Sequence, residues 1–378
     1  MNSRERFKRA INHQEPDRVP IDVGGDFHNG LHEVAYGKLL QLLEEQDEIK
    51  IYDYMQHLAV VKESVLRRLH GDTRYVFASA AEGYQRVVAP DTSWFDEWGV
   101  QRKTVGFYDE SVGTPLADCT YEKIKNYRLP DPGDKNRFKG LNERAKRLYE
   151  DTEYAVIGGN AASLFFLTSE IIGYQEYMEK ILTETKMIET LIDRVLEWQM
   201  DFFGCYLDEI GEYTEMIWMG DDWGTQRSPL MSPALFREIF IPRYKQFTQF
   251  IKKRADVKIA LHSCGSIYWA LGDLADAGID VLHPLQGDAV GFEDPYKLKK
   301  EYGSDLVLYS NLRNQSVIPH GTVEEVIEEV KFKIGALAPG GGYIMSGGHN
   351  IQADVPPENI LAMIDTTIKY GNYPIKTV

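Results

Sequence analysis

Cysteine is scarce in this chain. Three occur among 378 residues, at Cys119, Cys205 and Cys264. Three thiols cannot make a disulfide framework, so the fold must rest on an apolar core, and the count fits a reducing cytosol. Long apolar runs are missing too. No segment approaches the roughly 18 residues that would span a bilayer. The opening MNSRERFKRAINHQEPDRVP carries charge every few residues, unlike a secretory leader. Cationic charge is in deficit, with 42 Lys and Arg against 58 Asp and Glu, a formal net charge of −16. A nucleic acid would be repelled by that balance. A heavily carboxylated small molecule would need a local basic pocket. The chain also has no P-loop, Rossmann glycine fingerprint, GxSxG elbow or HExxH helix. These absences describe a cytoplasmic protein with neither a nucleic-acid nor a membrane partner.

What is present is an ordinary globular composition, 43% apolar and 26% charged, enough for a large core. The first segment reads as a short amphipathic helix ended by Pro16, with Ser3 as N-cap and Phe7, Ala10 and Ile11 on one face. Short apolar runs then alternate with helical stretches. Strands are expected at Val19–Val23, Arg74–Ala78, Tyr154–Gly158, Glu215–Met219, Lys258–His262, Asp280–His283, Leu306–Ser310 and Gly342–Met345. Helices are expected at Ser169–Leu182, Met187–Ile210, Pro233–Arg254, Tyr268–Ala277 and Val323–Leu337. Eight strands alternating with helices favour an α/β fold, a (β/α)8 TIM barrel, over an open doubly wound sheet. Residues 83–140, rich in Trp, Tyr, Asp, Gly and Pro, break the rhythm. They read as an insertion between strands two and three that lies over the barrel mouth, with β-like pieces at Gln85–Val88 and Gly99–Val105. Without a repeat or linker, residues 1–378 are expected to form one domain.

In such a barrel the C-terminal strand ends and the loops after them form the active face. They carry Asp22, Ser79, Asn160, Asp221, Asp222, His262, Cys264, His283, Asn311, His349 and Asn350. His262 and Cys264, in KIALHSCGSI, are two apart and project to the same side of an extended chain. Zinc takes both donor types, and a catalytic site uses three protein ligands with one position open. His349, in GGYIMSGGHNI, sits at the same end of the barrel and can supply the third. The competing reading is a buried free cysteine beside a capping histidine. Asp221 and Asp222 follow a strand end and precede Ser232-Pro233, a helix start. They serve either as catalytic groups (base, orienter or further ligand) or only as part of that connection. Ser79, Asn160, His283, Asn311 and Asn350 are candidate substrate-binding residues, with His283 and Asn311 also readable as strand caps. Trp94, Trp98, Phe107 and Tyr108 can wall a planar ligand or simply pack.

Three segments carry a family resemblance over nearly the full chain: RERFKRAINHQEPDRVP, GDDWGTQRSPLMSPALFREIFIPRYK and SGGHNIQADVPPENILAMI. With them the chain resembles the uroporphyrinogen decarboxylase superfamily. The resemblance implies a (β/α)8 barrel with its site at the C-terminal face. One branch decarboxylates a porphyrinogen without a cofactor. The other comprises zinc-dependent methyltransferases that exchange a methyl group between a corrinoid protein and a thiol. The decarboxylase branch clamps substrate carboxylates with an RQAGR segment, whereas IDVGGDFHNG here holds no arginine. Ser79 replaces that branch's aspartate, and Leu167 falls near its tyrosine. Gly and Val cannot supply bidentate guanidinium recognition.

His262-Ser263-Cys264-Gly265 matches the HxCG of the methyltransferase branch, where both side chains bind zinc. That branch usually adds a cysteine from an SPGC segment, and here SGGH places His349 there. The decarboxylases keep a histidine nearby, so His349 is either the third ligand or a substrate contact. A Cys2His set with Zn²⁺ is neutral, whereas CysHis2 carries +1 and is the stronger Lewis acid. The resemblance therefore implies a Zn²⁺-dependent methyltransferase acting with a corrinoid held on a partner protein. Its small-molecule substrate is a thiol or a methoxylated compound, and a homodimer is left open. The alternative is a tetrapyrrole-binding or decarboxylase-like protein without zinc.

Overall fold

The computed structural model describes residues 1–376. Seven parallel strands form one curled sheet, and their spatial order is their order in the chain. They are Thr73–Val76, Ala155–Ala162, Met216–Gly220, Lys258–His262, Val281–His283, Val307–Tyr309 and Tyr343–Ile344. Helices connect successive strands, as parallel neighbours require. Strand parity divides the apolar residues into two sets. Ala155, Ile157, Met216, Trp218, Ala260, Val281, Val307, Tyr309 and Ile344 make one buried cluster inside the curl. Their alternates, among them Val156, Ile217, Ile259, Leu261, Leu282 and Leu308, pack outward under the helices.

The expected strand Val19–Val23 is reduced to a bridge. Ile21 pairs with Met345, and residues 20–22 join the two sheet edges. Met345 N–H donates to the Pro20 carbonyl at 2.9 Å, Asp22 N–H donates to the Met345 carbonyl at 2.9 Å, and Asp72 N–H donates to the Ile21 carbonyl at 2.8 Å. A full ladder is blocked locally. Pro20 has no N–H, and the Ile21 N–H turns to the Asp72 carboxylate at 2.9 Å. The observed α/β architecture is thus a seven-strand half-barrel whose edges are tied by one short segment.

The first helix, Ser3–Ile11, adds Phe7, Ala10 and Ile11 to the interior cluster. Its N-cap is Asn2, with Glu5 completing a capping box, rather than Ser3. The Ser3 hydroxyl instead donates to Asp72 at 2.7 Å. Pro233–Arg254 and Val323–Leu337 have the expected bounds, and the helix expected from Met187 begins at Thr185 and ends at Ile210. The single helix expected over Ser169–Leu182 is two, Phe165–Ile172 and Tyr174–Thr183. Gly173, at φ +103°, breaks it in a region only glycine enters freely. The stretch expected over Tyr268–Ala277 is a 3₁₀ turn at Tyr268–Ala270 followed by the helix Leu271–Asp276.

The insertion holds an antiparallel sheet of Trp94–Phe95, Gln101–Val105 and Tyr108–Gly113. Gln85–Val88 is not a strand. Val87 and Val88 are exposed, and Arg86 turns aside onto the rings of Tyr54 and Trp94. A small hairpin of Ile51–Asp53 and Leu58–Ala59 precedes the first strand of the sheet. Among the described residues no helix is long and apolar enough to cross a membrane.

Asp72 ties these parts together. Its fully buried carboxylate accepts from Arg6 Nη1 at 2.7 Å and from Arg18 Nη1 and Nη2 at 2.8 and 3.0 Å, besides Ser3 and Ile21. Asp72→Ala leaves Arg6 with Asp17 as its sole carboxylate and frees Arg18. We expect a loss of about 3 kcal/mol, read as a lower urea midpoint with an unchanged slope. A midpoint within error of wild type would refute the role.

Candidate metal centre

Parity places the central histidines. Inward-facing Ala260 and Val281 are each followed two residues on by His262 and His283, so both imidazoles enter the barrel axis at its C-terminal end. The parallel register aligns His283 with His262, and their Nδ1 atoms stand 2.9 Å apart. One of these nitrogens must carry the shared proton. With it on His262, the Nε2 of that ring is left unprotonated, and it lies 3.4 Å from the Cys264 Sγ. The second nitrogen of His283 stands 3.4 Å from Ser346 Oγ.

Cys264 is aimed by the turn that follows the strand. Its N–H donates to Asp222 Oδ1 at 2.8 Å, and Ser263 N–H donates to the His283 carbonyl at 2.8 Å. Gly265 is required here. At φ +82°, a Cβ on it would lie 2.2 Å from the Gly224 carbonyl oxygen. His349 arrives from the loop after the last strand. Its Nδ1 is held by Asn350 Oδ1 at 2.9 Å and lies 3.3 Å from Gln352 Nε2, which leaves Nε2 for the cluster. Asn350 is held in turn by Gln56 and the Phe27 carbonyl.

The donor atoms of His262, Cys264 and His349 all lie within 4.8 Å of one another. Tetrahedral zinc needs N···N and N···S separations of about 3.3 to 3.6 Å. The His262–Cys264 pair already meets this, and a His349 donor atom lies within 4.8 Å of both. Burial, then neighbouring histidines, hold His262 and His283 well below the usual imidazole value, and burial also lowers His349. Burial and the Asp222 charge push the Cys264 thiol well up. Neutral imidazoles suit a metal directly, and a cation would reverse the thiol shift.

The remaining candidates divide by position. Asp222, about half exposed, faces His262 Nε2 at 3.9 Å and lines the cavity. Asp221 is buried and accepts from Ser163 Oγ, Leu164 N–H, Phe166 N–H and Tyr244 Oη at 2.7–2.9 Å. Both its oxygens anchor the start of the helix at Phe165, and burial raises its pKa. Ser79 and Asn160 line the cavity, and Asn160 Oδ1 also accepts from Ala78 N–H at 2.9 Å. Asn311 is fully buried away from the cavity, bonded to the Leu285 and Phe292 carbonyls and to Lys333. Trp94, Trp98 and Tyr108 wall the cavity, while Phe107 points out and is 55% exposed.

The cavity measures about 860 Å³, at the upper end for small-molecule sites. His28 and Arg86 line it, and neither stood out in the sequence. His28 stacks on Trp218, with centroids 4.2 Å apart, and lies 4.7 Å from the His262 ring. Its Nδ1 is 2.8 Å from Asp26 Oδ2. The Asp-x-His spacing in GGDFHNG is the signal that could have found it, but three residues in a glycine-rich loop gave no direction to either side chain.

A model described as uroporphyrinogen decarboxylase (URO-D) matches residues 108–370. Methylcobamide:CoM methyltransferase MtaA of Methanosarcina barkeri is 25% identical over 240 residues, covering 62% of this chain and 65% of that one. Uroporphyrinogen decarboxylase of Psychromonas ingrahamii is 23% identical over 253 residues, covering 64% and 66%. The match thus spans just under two thirds of the length of these relatives. A methyltransferase from Methanosarcina mazei superposes with a TM-score of 0.69 at 17% identity, over 98% of this chain and 99% of its own. That likeness is one of fold.

The lowered imidazoles set a pH dependence. The unfolded chain takes up protons on these histidines below about pH 6.5, whereas the folded metal-free chain resists. Their stability contribution is full above that pH and is lost as pH falls toward the depressed values. Metal-free protein should therefore lose up to about 1.4 kcal/mol per histidine for each pH unit below 6.5. Urea unfolding at pH 7.5, 6 and 5 with chelator, on wild type and His283→Asn, checks this. Equal slopes in the two proteins would contradict it.

Proposed function

The chain belongs to the uroporphyrinogen decarboxylase (URO-D) family, and from that premise we propose that it is a zinc-dependent methyltransferase working with a corrinoid protein. The observation that carries this reading is the convergence of the His262, Cys264 and His349 donor atoms on the wall of a large cavity. Bound zinc supplies a Lewis acid with one open position, which lowers the pKa of a thiol or hydroxyl presented to it.

The other roles belong to the chain's own side chains. His283, by holding His262 Nδ1, keeps Nε2 directed at the open side. Asn350 does the same for His349. Asp222 fixes the Cys264 turn through its backbone N–H and is placed to orient an incoming polar group. Asp221 positions the wall that carries Phe166 and Leu167. Ser79 and Asn160 offer polar contacts to the small molecule. Aromatic side chains of the insertion exclude water from the transfer. Asn311 is assigned to packing.

Relatives named as uroporphyrinogen decarboxylases support the second reading, a decarboxylase without zinc. Against it stands the supply of cations. A substrate with many carboxylates needs several free guanidinium or ammonium groups. Three arginines and no lysine line this cavity. Two of the arginines are already matched. Arg102 lies between Asp96 and Glu170 at 2.9 and 2.6 Å, and Arg137 meets Glu97 at 2.6 Å.

Elemental analysis of the purified full chain should find roughly one zinc per chain. Cys264→Ala and His349→Ala should lose it, together with at least about 100-fold of methyl transfer between methylcobalamin and a thiol. A zinc-free wild type, or transfer that survives both substitutions, would sink the proposal. His283→Ala tests the orienting role. It should keep the site but weaken zinc binding about 10- to 100-fold, measured by competition with a chelator of known affinity.

A further inference from the structure

Asp222 stands beside the metal donors with about half of its side chain exposed, and it lines the cavity. Its Oδ1 accepts from Cys264 N–H at 2.8 Å, which serves the turn. Among the described residues its second oxygen has no hydrogen bond, and no lysine or arginine pairs with the carboxylate. The basic group within ion-pair distance is His262, with Nε2 at 3.9 Å, and burial keeps that imidazole neutral. The Asp222 charge also acts on Cys264 and His349, so it stands close to all three donors.

The charge balance of the loaded site leaves this carboxylate over. Zn²⁺ with the Cys264 thiolate and a second thiolate in the open position is neutral. Asp222 then remains an uncompensated anion, which repels an anionic group on the incoming thiol and attracts a cationic one. The rest of the cavity does not reverse the sign. Eight carboxylates and three guanidiniums line it, without a lysine. Arg102 is shared by Asp96 and Glu170, Arg137 meets Glu97, and Arg86 reaches Asp109. Asp53 is buried on the same wall and forms no ion pair among the described residues. Tyr84, Trp98 and Tyr108 complete that wall, and aromatic faces also attract cations.

We propose that Asp222 selects the thiol by charge. The thiol that enters the open position carries an ammonium group a short chain from its sulfur, and that group pairs with the Asp222 carboxylate. The class is a small cationic thiol, and a thiol bearing a sulfonate or carboxylate is disfavoured. The inference rests on the zinc-methyltransferase reading for what holds the sulfur, and on Asp222 for the choice among thiols.

Binding tests it without turnover. The full-length protein is loaded with Co²⁺ in place of zinc, and thiolate binding is read from the sulfur-to-cobalt absorption in the near ultraviolet. The probes are thiocholine, 2-mercaptoethanol and 2-mercaptoethanesulfonate, which share a two-carbon chain and differ in charge. Thiocholine has no free amine and cannot strip the metal by chelation. Each binds as its thiolate, the S–H proton passing to the buffer. Thiocholine should bind at least about tenfold more tightly than the sulfonate, with the uncharged thiol between them. The thiols differ in intrinsic acidity, so the same ratio is measured in Asp222→Asn, which keeps an acceptor for Cys264 N–H and should lose most of the preference. Rising ionic strength should shrink the wild-type ratio, because Asp222 is half exposed, and this decides the matter if the Asn variant does not fold. A sulfonate bound as tightly as thiocholine, binding of no thiol, or a ratio unmoved by both the substitution and salt overturns the proposal. Cobalt taken up without a charge preference removes only the role of Asp222. A chain that takes up neither cobalt nor zinc removes the methyltransferase reading and this inference with it.

Discussion

The contact on which the site depends is that between His262 and His283 on adjacent parallel strands. Side-chain period and register leave it little freedom. Both strands send alternate residues inward, and the pairing of Val281 with Ala260 brings the two imidazoles level. Taking His262 Nδ1 into this contact commits its other nitrogen to the cavity, where Cys264 waits two residues further along. A slip of one residue in either strand would turn a histidine outward under the helices and dismantle the donor set.

That register is held from a distance. The sheet curls far enough to bring its ends together only because residues 20–22 bond to both edges, and this segment is held by Asp72 with Arg6 and Arg18. The first helix then fills the interior from below with Phe7, Ala10 and Ile11. Asp22, above this plug, is fully buried and accepts from Thr73, Tyr75 and Tyr309. Burial and the charge of Asp26 lift its pKa to about 6. The same segment that bridges the two sheet edges thus leads, within a few residues, to His28 at the cavity.

Much of this was legible in the residues. Lys258–His262 could be read because an apolar run ends in polar groups, and Pro233–Arg254 because Ser232 and Pro233 mark a helix start. The strand at residues 19–23 was misread because its pattern is apolar, while its hydrogen bonds are decided by Pro20 and by a carboxylate some 50 residues away. The break at Gly173 was hidden because an isolated glycine in an apolar stretch does not reveal the sign of φ. Asp221 stood out beside Asp222, yet its oxygens are committed to Ser163, Tyr244 and a helix start, partners that only the fold assembles. Arg86 could not be singled out either. Its place on the cavity wall follows from the fold of the insertion.

Burial at the centre links these observations. An apolar, enclosed strand end penalises imidazolium, so His262, His283 and His349 are held neutral. It also penalises thiolate, and Asp222 beside Cys264 adds to that cost. Three neutral imidazoles and a thiol give a cluster that takes up no charge of its own and is stable only near or above neutral pH. A divalent cation meets every one of these penalties at once. It needs the neutral nitrogens as they stand, stabilises the thiolate, and gains from the Asp222 charge nearby. On the proposed reading, the desolvation that is costly for the free side chains would therefore favour a cation on His262, Cys264 and His349, with His283 orienting His262.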